Sequence, residues 1–327
     1  MDIPAGIRQT LDSLEAAGYE ACVVGGCVRD HLLGVVPHDW DIATSATPPQ
    51  VAEALAGARL IPTGIAHGTW TLLLPDLPVE ITSYRADGPY LDNRHPQEVR
   101  YAPSLQEDLA RRDFTLNAIA YHPQRGFSDP FGGRDDISAQ LLRAVGQPQL
   151  RLSEDALRIM RALRFAATIG FAIEDQLAQA LHEQRQLLAN IAVERLSAEL
   201  IRMLPGANIL PVLLEYPDVL AVFIPEIAPT IGFDQQTKYH QYDVWEHSAH
   251  AVALAAPDPL VRLTLLLHDL GKPECFFTDA DGVGHFYGHD LAGERIARKR
   301  LKALHFDSKT IQTVSTLIAE HQARFKL

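Results

Sequence analysis

Through the first 140 residues, short apolar runs such as Ala21-Cys22-Val23-Val24, the stretch HGTWTLLL and the stretch LPVEITSY alternate with helical segments and turn signals. Such a mixture predicts strands and helices together. From about 141 the period lengthens to that of a helix, in SEDALRIMRALRFAATIGF and AVERLSAELIRML. Ser153, followed by Glu154 and Asp155, suits a helix start and Gly170 suits its end. Prolines 205, 211, 217, 225 and 229 then break the chain into shorter pieces. Further helices follow in VWEHSAHAVALAA, PLVRLTLLLHDLG and DLAGERIARKRLKAL. The pattern predicts an α+β part over 1–140, a mixed β-sheet with helices, followed by an all-α neck over 141–204 and an all-α body over 205–327. No fixed-period repeat or low-complexity tract interrupts it.

Composition narrows the reading. With 327 residues, 47% hydrophobic and 21% charged, the chain is long enough for two or three domains and far from the composition of disordered proteins. No window approaches the apolar length of a membrane span, and the first twenty residues lack a secretory signal, so a cytoplasmic setting is expected. Cys22, Cys27 and Cys275 form no CxxC pair, so neither a disulfide framework nor a cysteine zinc site is indicated. The net charge of −12 disfavours a nonenzymatic RNA scaffold, as does the lack of a basic stripe interleaved with aromatics. All lysines lie at or after Lys238, so every earlier basic residue is an arginine, the side chain that grips phosphate and base edges in a fork.

The stretch CVVGGCVRDHLLGVVPHDWDIATS is the most informative. Cys22 to Val24 read as a buried strand, Gly25 and Gly26 as a turn without side chains, and Cys27 to Leu33 as a helix closed by Gly34. A phosphate could approach such a turn closely, with Arg29 adding positive charge from the first helical turn. Ten residues beyond Arg29, strand alternation puts Asp39 and Asp41 on one face and Trp40 with Ile42 on the other. Two carboxylates so close repel unless a cation lies between them, and magnesium favours one or two carboxylates together with substrate phosphates. Glu80, between Val79 and Ile81, supplies a third carboxylate from a neighbouring strand.

A second group lies on the predicted helix near Ser153, where Asp155, Arg158, Arg161 and Arg164 recur every three residues. A solvated polar face would look the same. Hydrogen-bond chemistry offers a sharper reading. Cytosine and adenine each present an amino donor beside a ring-nitrogen acceptor, which a carboxylate and an arginine satisfy together. Uracil and guanine present the reverse polarity, at about 1 to 3 kcal/mol per unsatisfied group.

GGxVRD, LLG and DxD in this order resemble the signature of the class II CCA-adding enzymes and bacterial poly(A) polymerases, within the polymerase-β-like superfamily. Further blocks lie in register: RRDFTLNA from Arg111, DPFGGRDDI from Asp129, LRAVGQP from Leu142, EDALRIMRALRFA from Glu154 and ERLSAEL from Glu194. The resemblance covers roughly residues 15 to 205. It implies a template-independent nucleotidyltransferase that adds C and A from CTP and ATP to the tRNA 3′ end, with two Mg²⁺ ions on Asp39 and Asp41 beside Glu80. It also implies that Gly25, Gly26, Arg29, Arg112 and Asn117 lie at the incoming nucleotide. Asp155 and Arg158 then read the base, with Arg161 and Arg164 completing the pocket. Asn117 also has a purely structural reading. The segment from Tyr84 to Ser104 resembles the loop that CC-only enzymes shorten.

Eight of the fourteen histidines fall after residue 239. His247, then His268-Asp269 in LLLHDLGK, then His285, His289 and His321 resemble an HD phosphohydrolase domain. The resemblance implies a second divalent metal held by His247, His268, Asp269 and His289. The aspartate that ordinarily closes the signature has its place near or beyond Leu327. RNA contact is expected on the basic helix carrying Arg295, Arg298, Lys299, Arg300 and Lys302. No obligate protein partner is evident. The rival readings are a poly(A) polymerase or an enzyme restricted to A or CC addition, and an HD phosphohydrolase whose N-terminal part only senses nucleotide.

Overall fold

The computed structural model describes residues 1–64, 68–75, 77–87, 99–102, 104–236 and 241–322. The chain divides into two compact units, Met1–Glu154 and Asp155–Leu327. Of the three expected segments, the first lies wholly in the first unit and 205–327 wholly in the second, with 141–204 shared between them. None of the described helices is long and apolar enough to cross a membrane.

In the first unit, α1 (Ala5–Ala16) precedes β1 (Ala21–Val24), α2 (Gly26–Leu32), β2 (Trp40–Thr44) and α3 (Pro48–Ala54). The strands β3 (Leu60–Gly64), β4 (Thr69–Leu73) and β5 (Pro78–Ser83) follow, and then a separate ribbon of β6 (Arg85–Asp87) and β7 (Val99–Tyr101). After α4 (Leu105–Ala110) come β8 (Ala120–His122), β9 (Gly126–Ser128), α5 (Gly133–Ser138) and α6 (Pro148–Glu154). Among the described residues seven strands form one mixed sheet, ordered β3-β4-β5-β2-β1-β8-β9. Only β2 and β5 of the named pairs run parallel, joined by a crossover long enough to carry α3, β3 and β4.

Strand alternation gives the sheet two apolar faces. Val23, Trp40, Ile42 and Ile81 meet Ile7, Leu11 and Leu14 of α1 on one side. Cys22, Val24 and Ala43 meet Tyr84, Leu109 and Ala118 on the other. Asp41 shares the parity of Ala43, so its carboxylate belongs to this second face, away from Trp40 and Ile42. A capping box between Thr47 and Gln50 starts α3 sharply and fixes where the chain leaves β2.

The second unit is almost entirely helical. Its helices are α7 (Leu157–Ile169), α8 (Asp175–Gln184), α9 (Val193–Met203), α10 (Ile209–Glu215) and α11 (Pro217–Leu220). Then follow α12 (Val244–Leu254), α13 (Pro259–Leu267), α14 (Lys272–Cys275), α15 (His289–Ala303) and α16 (Ser308–Glu320). The α+β reading for the first part and the all-α reading for the rest both hold. The helix expected from Ser153 is interrupted. Ser153 and Glu154 end α6, Asp155 stands between helices, and α7 begins at Leu157. The Asp155 side chain accepts from the Leu157 amide at 3.1 Å, a local turn that holds it just outside the helix that was expected to carry it. An internal brace fixes the packing of the helices: buried Arg262 on α13 donates to the carbonyls of Leu204 and Gly206 at 2.7 and 2.8 Å.

Candidate active site and histidine centre

The turn between β1 and α2 is where the first constellation forms. Gly25 has φ +75° and ψ −129°, a conformation that other L-residues avoid. A Cβ at this position would lie 2.8 Å from Arg112 Nη1 and 3.6 Å from Asp41 Oδ2. The bare turn therefore touches the arginine and the carboxylate at once, a convergence of positions 25, 41 and 112. Asp41 is opposite Val24 in the ladder and in register with Glu80 on the parallel neighbour β5. Burial pushes the Asp41 carboxyl up to about 6; Arg112 pulls it down, while Glu80 and Asp39 push it further up. Burial is the largest cause of that rise, and a cation bound beside Asp41 would offset it. The oxygens of Asp39, Asp41 and Glu80 do not all close to within 4.8 Å of one another, the spacing that the second unit's centre reaches. Asp39 and Glu80 are exposed and lie at the open side of the group.

A buried carboxylate that the sequence reading missed positions the arginine. Asp108, 1% exposed, receives Arg111 Nε and Nη2 at 3.0 and 2.8 Å and Arg112 Nη2 at 3.3 Å. Burial alone would raise its carboxyl, but Arg111 and Arg112 hold it below the usual carboxylate range. Its spacing of three and four residues from the arginine pair that follows α4 was the available signal. Arg112 Nε is buried with no hydrogen-bond partner among the described residues, and its Nη1 is the atom that faces the Gly25 turn. Arg29 donates from Nη1 to Asn117 Oδ1 at 2.7 Å and pairs with Asp30. Asn117 is 7% exposed and donates to Asp113 Oδ1 at 3.0 Å. Those contacts make Asn117 the brace of Arg29, in keeping with its structural reading.

The base-reading candidates belong to the second unit. Asp155 Oδ2 stands 3.6 Å from Arg195 Nη2, and Arg158 is buried at the start of α7. Arg164 is committed elsewhere: its Nε donates to buried Glu199 at 2.6 Å and its guanidinium lies 4.3 Å from the Phe165 ring. Arg161 reaches the same ring at 5.5 Å. The expected basic helix is α15, where Arg295 pairs with Glu274, Arg298 with Glu294 and Arg300 with Glu226. Lys299 and Lys302 are exposed. The loop from Tyr84 to Ser104 falls for the most part outside the described residues.

The histidine centre closes more tightly. His247 on α12, His268 and Asp269 after α13, His289 at the start of α15 and His321 after α16 converge on one carboxylate. Asp269 Oδ2 lies 3.6 Å from His247 Nε2 and 3.2 Å from His268 Nε2. Asp269 Oδ1 lies 3.4 Å from His289 Nε2 and 3.8 Å from His321 Nε2. Lys272 Nζ completes the ring at 2.8 Å from Oδ2. Burial alone would raise Asp269, but hydrogen bonds from His268 and His289 and the charge of Lys272 hold it well below the carboxylate range.

Local geometry sets the tautomers. Nδ1 of His268, His289 and His321 donates to the carbonyls of Leu265, Phe286 and Ile318 at 2.7, 2.7 and 2.6 Å. Each Nε2 thereby faces Asp269, and it is the ring atom that a metal shared with that carboxylate would take. His289 Nε2 and His321 Nε2 stand 3.2 Å apart, an arrangement that calls for a cation between them. The donor set fits a divalent metal. His321 thus supplies a ring from the last described helix that the expected ligand set omitted. His285 is diverted, pairing with Asp279 at 2.6 Å.

Residues 21–143 match the poly A polymerase head domain, 170–231 the probable RNA and SrmB-binding site of polymerase A, and 238–326 the HD domain. The chain is 48% identical over 201 residues to a CCA-adding enzyme of Lactiplantibacillus plantarum, covering 62% of this chain and 49% of that protein. It is 40% identical over 267 residues to one of Geobacillus stearothermophilus, covering 81% and 62%. The chain thus spans about half the length of the curated relatives it matches. Its fold follows that of the Bacillus stearothermophilus CCA-adding enzyme in complex with CTP, with a TM-score of 0.73 and 29% identity over 97% of this chain and 70% of that one.

Proposed function

The chain belongs to the family of CCA-adding enzymes built on the poly A polymerase head domain, and from that premise we propose that it transfers C and A from CTP and ATP to the 3′ end of tRNA. One observation carries this reading: the Gly25 turn, the crowded Asp41 carboxyl and the under-used Arg112 guanidinium meet at one point. A triphosphate seated on the turn meets Arg112, with Arg29 held beside it by Asn117. Asp39 and Asp41, with Glu80 in register with Asp41, are the residues that would hold two Mg²⁺ ions. Bound magnesium favours ionisation of the attacking hydroxyl and neutralises charge on the leaving group.

The terminal 3′-oxygen of the RNA forms a bond to the α-phosphorus as the bond from that phosphorus to the bridging oxygen breaks. The hydroxyl proton passes to solvent and pyrophosphate departs. Asp41 must be ionised for this work, which Arg112 favours. Asp155 accepts from the amino group of C or A and Arg158 donates to the ring nitrogen, while the reversed edges of U and G leave buried groups unsatisfied. Contact with tRNA is assigned to the segment 170–231 and to α15, where Lys299 and Lys302 are exposed. A cytoplasmic setting suits the substrate.

The histidine centre favours a second activity. We infer that His247, His268, Asp269, His289 and His321 hold a divalent metal for hydrolysis of a phosphate ester at an RNA end, where water adds to phosphorus and the ester oxygen leaves. That would return a free 3′-hydroxyl to the transferase.

The test incubates the protein with tRNA lacking its CCA end, Mg²⁺ and each triphosphate singly and together, followed by sequencing of the 3′ ends. Addition of C, C and A, then arrest, is expected. An adenylate tail of indefinite length replaces the reading with poly(A) polymerase, addition of A alone or CC alone with a restricted enzyme, and no incorporation removes it.

A further inference from the structure

A metal centre that takes any phosphate ester needs nothing beyond its ligands, but the helix that carries His247 also carries one half of an aromatic stack. Tyr242 and His250 stack face to face, ring centroids 4.2 Å apart and planes inclined by 19°. His250 follows His247 by three residues on α12, so both imidazoles project from one helix face. Tyr242 is tied to the centre by a chain of hydrogen bonds. Its carbonyl accepts from Gln235 Nε2 at 3.0 Å, Gln235 Oε1 accepts from Lys272 Nζ at 2.8 Å, and Lys272 reaches Asp269. Gln235 is 1% exposed, so the link is a buried one. Among the ligands the His247 side chain is the most open, at 36%, while those of His268, Asp269 and His289 are 7% exposed or less. The most open ligand is thus the one that shares α12 with His250, and Tyr242, stacked on His250, is itself 42% exposed.

We propose that the Tyr242–His250 stack is a base-stacking face that makes the histidine centre select nucleoside phosphates over plain phosphate esters. Any base has a π-face, so the face reads the presence of a base and not its identity. A mononucleotide and the end of an RNA chain offer the same chemistry. The proposal rests on the phosphohydrolase reading only for its substrate, since the stacking face is defined by Tyr242 and His250 themselves.

The experiment compares three monoesters on the metal-loaded protein: uridine 3′-phosphate, a short RNA ending in a 3′-phosphate, and glycerol 2-phosphate. Uracil is chosen because the transferase site is expected to refuse it. Tyr242→Ala should raise KM for one or both base-bearing substrates by about fivefold or more, the scale of one lost stacking contact. kcat and glycerol 2-phosphate hydrolysis should stay unchanged, and Tyr242→Phe should restore KM. An effect on the RNA alone identifies the chain end as the ligand, and an effect on both shows that a single nucleoside suffices. An equal loss on all three esters, or unchanged KM on both base-bearing ones, overturns the proposal. Binding of uridine 3′-phosphate to metal-free protein by saturation-transfer NMR gives an independent readout. If no ester is hydrolysed but Tyr242→Ala removes this binding, the phosphohydrolase reading fails and the stacking face stands. If neither hydrolysis nor Tyr242-dependent binding is found, both fall.

Discussion

Replacing Gly25 by alanine should separate backbone strain from damage to the nucleotide site, because Gly18 offers a matched control. Both glycines have positive φ, +75° and +89°, so an alanine at either place costs about 1 to 3 kcal/mol of stability from strain alone. Around Gly18 no heavy atom lies within 4 Å of the added carbon. At Gly25 the added carbon lies 2.8 Å from Arg112 Nη1, whereas ordinary contact begins at 3.4 Å, so the guanidinium must retreat by about 0.6 Å, the difference between the two. Arg112 has little hold to spare, since its bonds to Asp108 Oδ2 and to the Asn117 carbonyl are already 3.3 and 3.4 Å long. Losing one charge-assisted hydrogen bond to the triphosphate corresponds to roughly 1.5 to 3 kcal/mol, or about 10- to 150-fold in transfer. The assay pairs urea denaturation of both variants with the rate of CTP incorporation at equal folded fraction. Similar stability losses, with transfer impaired only in Gly25→Ala, are expected. Transfer within about threefold of wild type in Gly25→Ala would refute the placement of Arg112 at the phosphates.

Asp41, pushed up to about 6, should make transfer at limiting Mg²⁺ fall about tenfold per pH unit below 6, because only the ionised carboxylate binds metal. A folded value above the ordinary 3.8 means that the metal-free fold loses stability as pH rises from about 4 to 6, and that a divalent cation restores it; a flat pH profile at limiting metal would contradict the crowding of these carboxylates. Asp155→Ala with Arg158→Ala should slow the reaction and admit UTP and GTP, measured as relative incorporation of the four triphosphates; full discrimination in the residual product would place base reading elsewhere. His268→Ala with Asp269→Ala should abolish any phosphatase activity and lower bound Mn²⁺ or Ni²⁺ relative to wild type by elemental analysis in excess Mg²⁺, while CTP and ATP addition to an intact end continues; an unchanged Mn²⁺ or Ni²⁺ content would mean that the remaining histidines suffice.

Spacing along one element was enough for part of this site. Trp40, Asp41 and Ile42 sort onto opposite faces through strand parity alone, with Asp39 just ahead of the strand, and the Gly25 turn follows from a buried strand running into a short helix. The family blocks and the His268-Asp269 pair are likewise local strings. Contacts between elements distant in sequence escaped that logic. Glu80 meets Asp41 because a parallel crossover sets the register of β5 against β2. Arg112 meets Gly25 because Asp108 pins its other end. Asp155 fell off its expected helix because its side chain found a better partner in the Leu157 amide, a local competition that apolar periodicity does not register. His285 carried the residue type that the motif asked for yet pairs with Asp279, and Arg164 is held through its Nε by Glu199. His321 joined the histidine cluster since α16 packs against α13 and α15, which brings the helix end to Asp269. Sequence determines which groups a strand or helix presents. The assembled fold decides which of them find a charged partner first, because ion pairs and ligation act across a few ångströms of space whatever the distance along the chain.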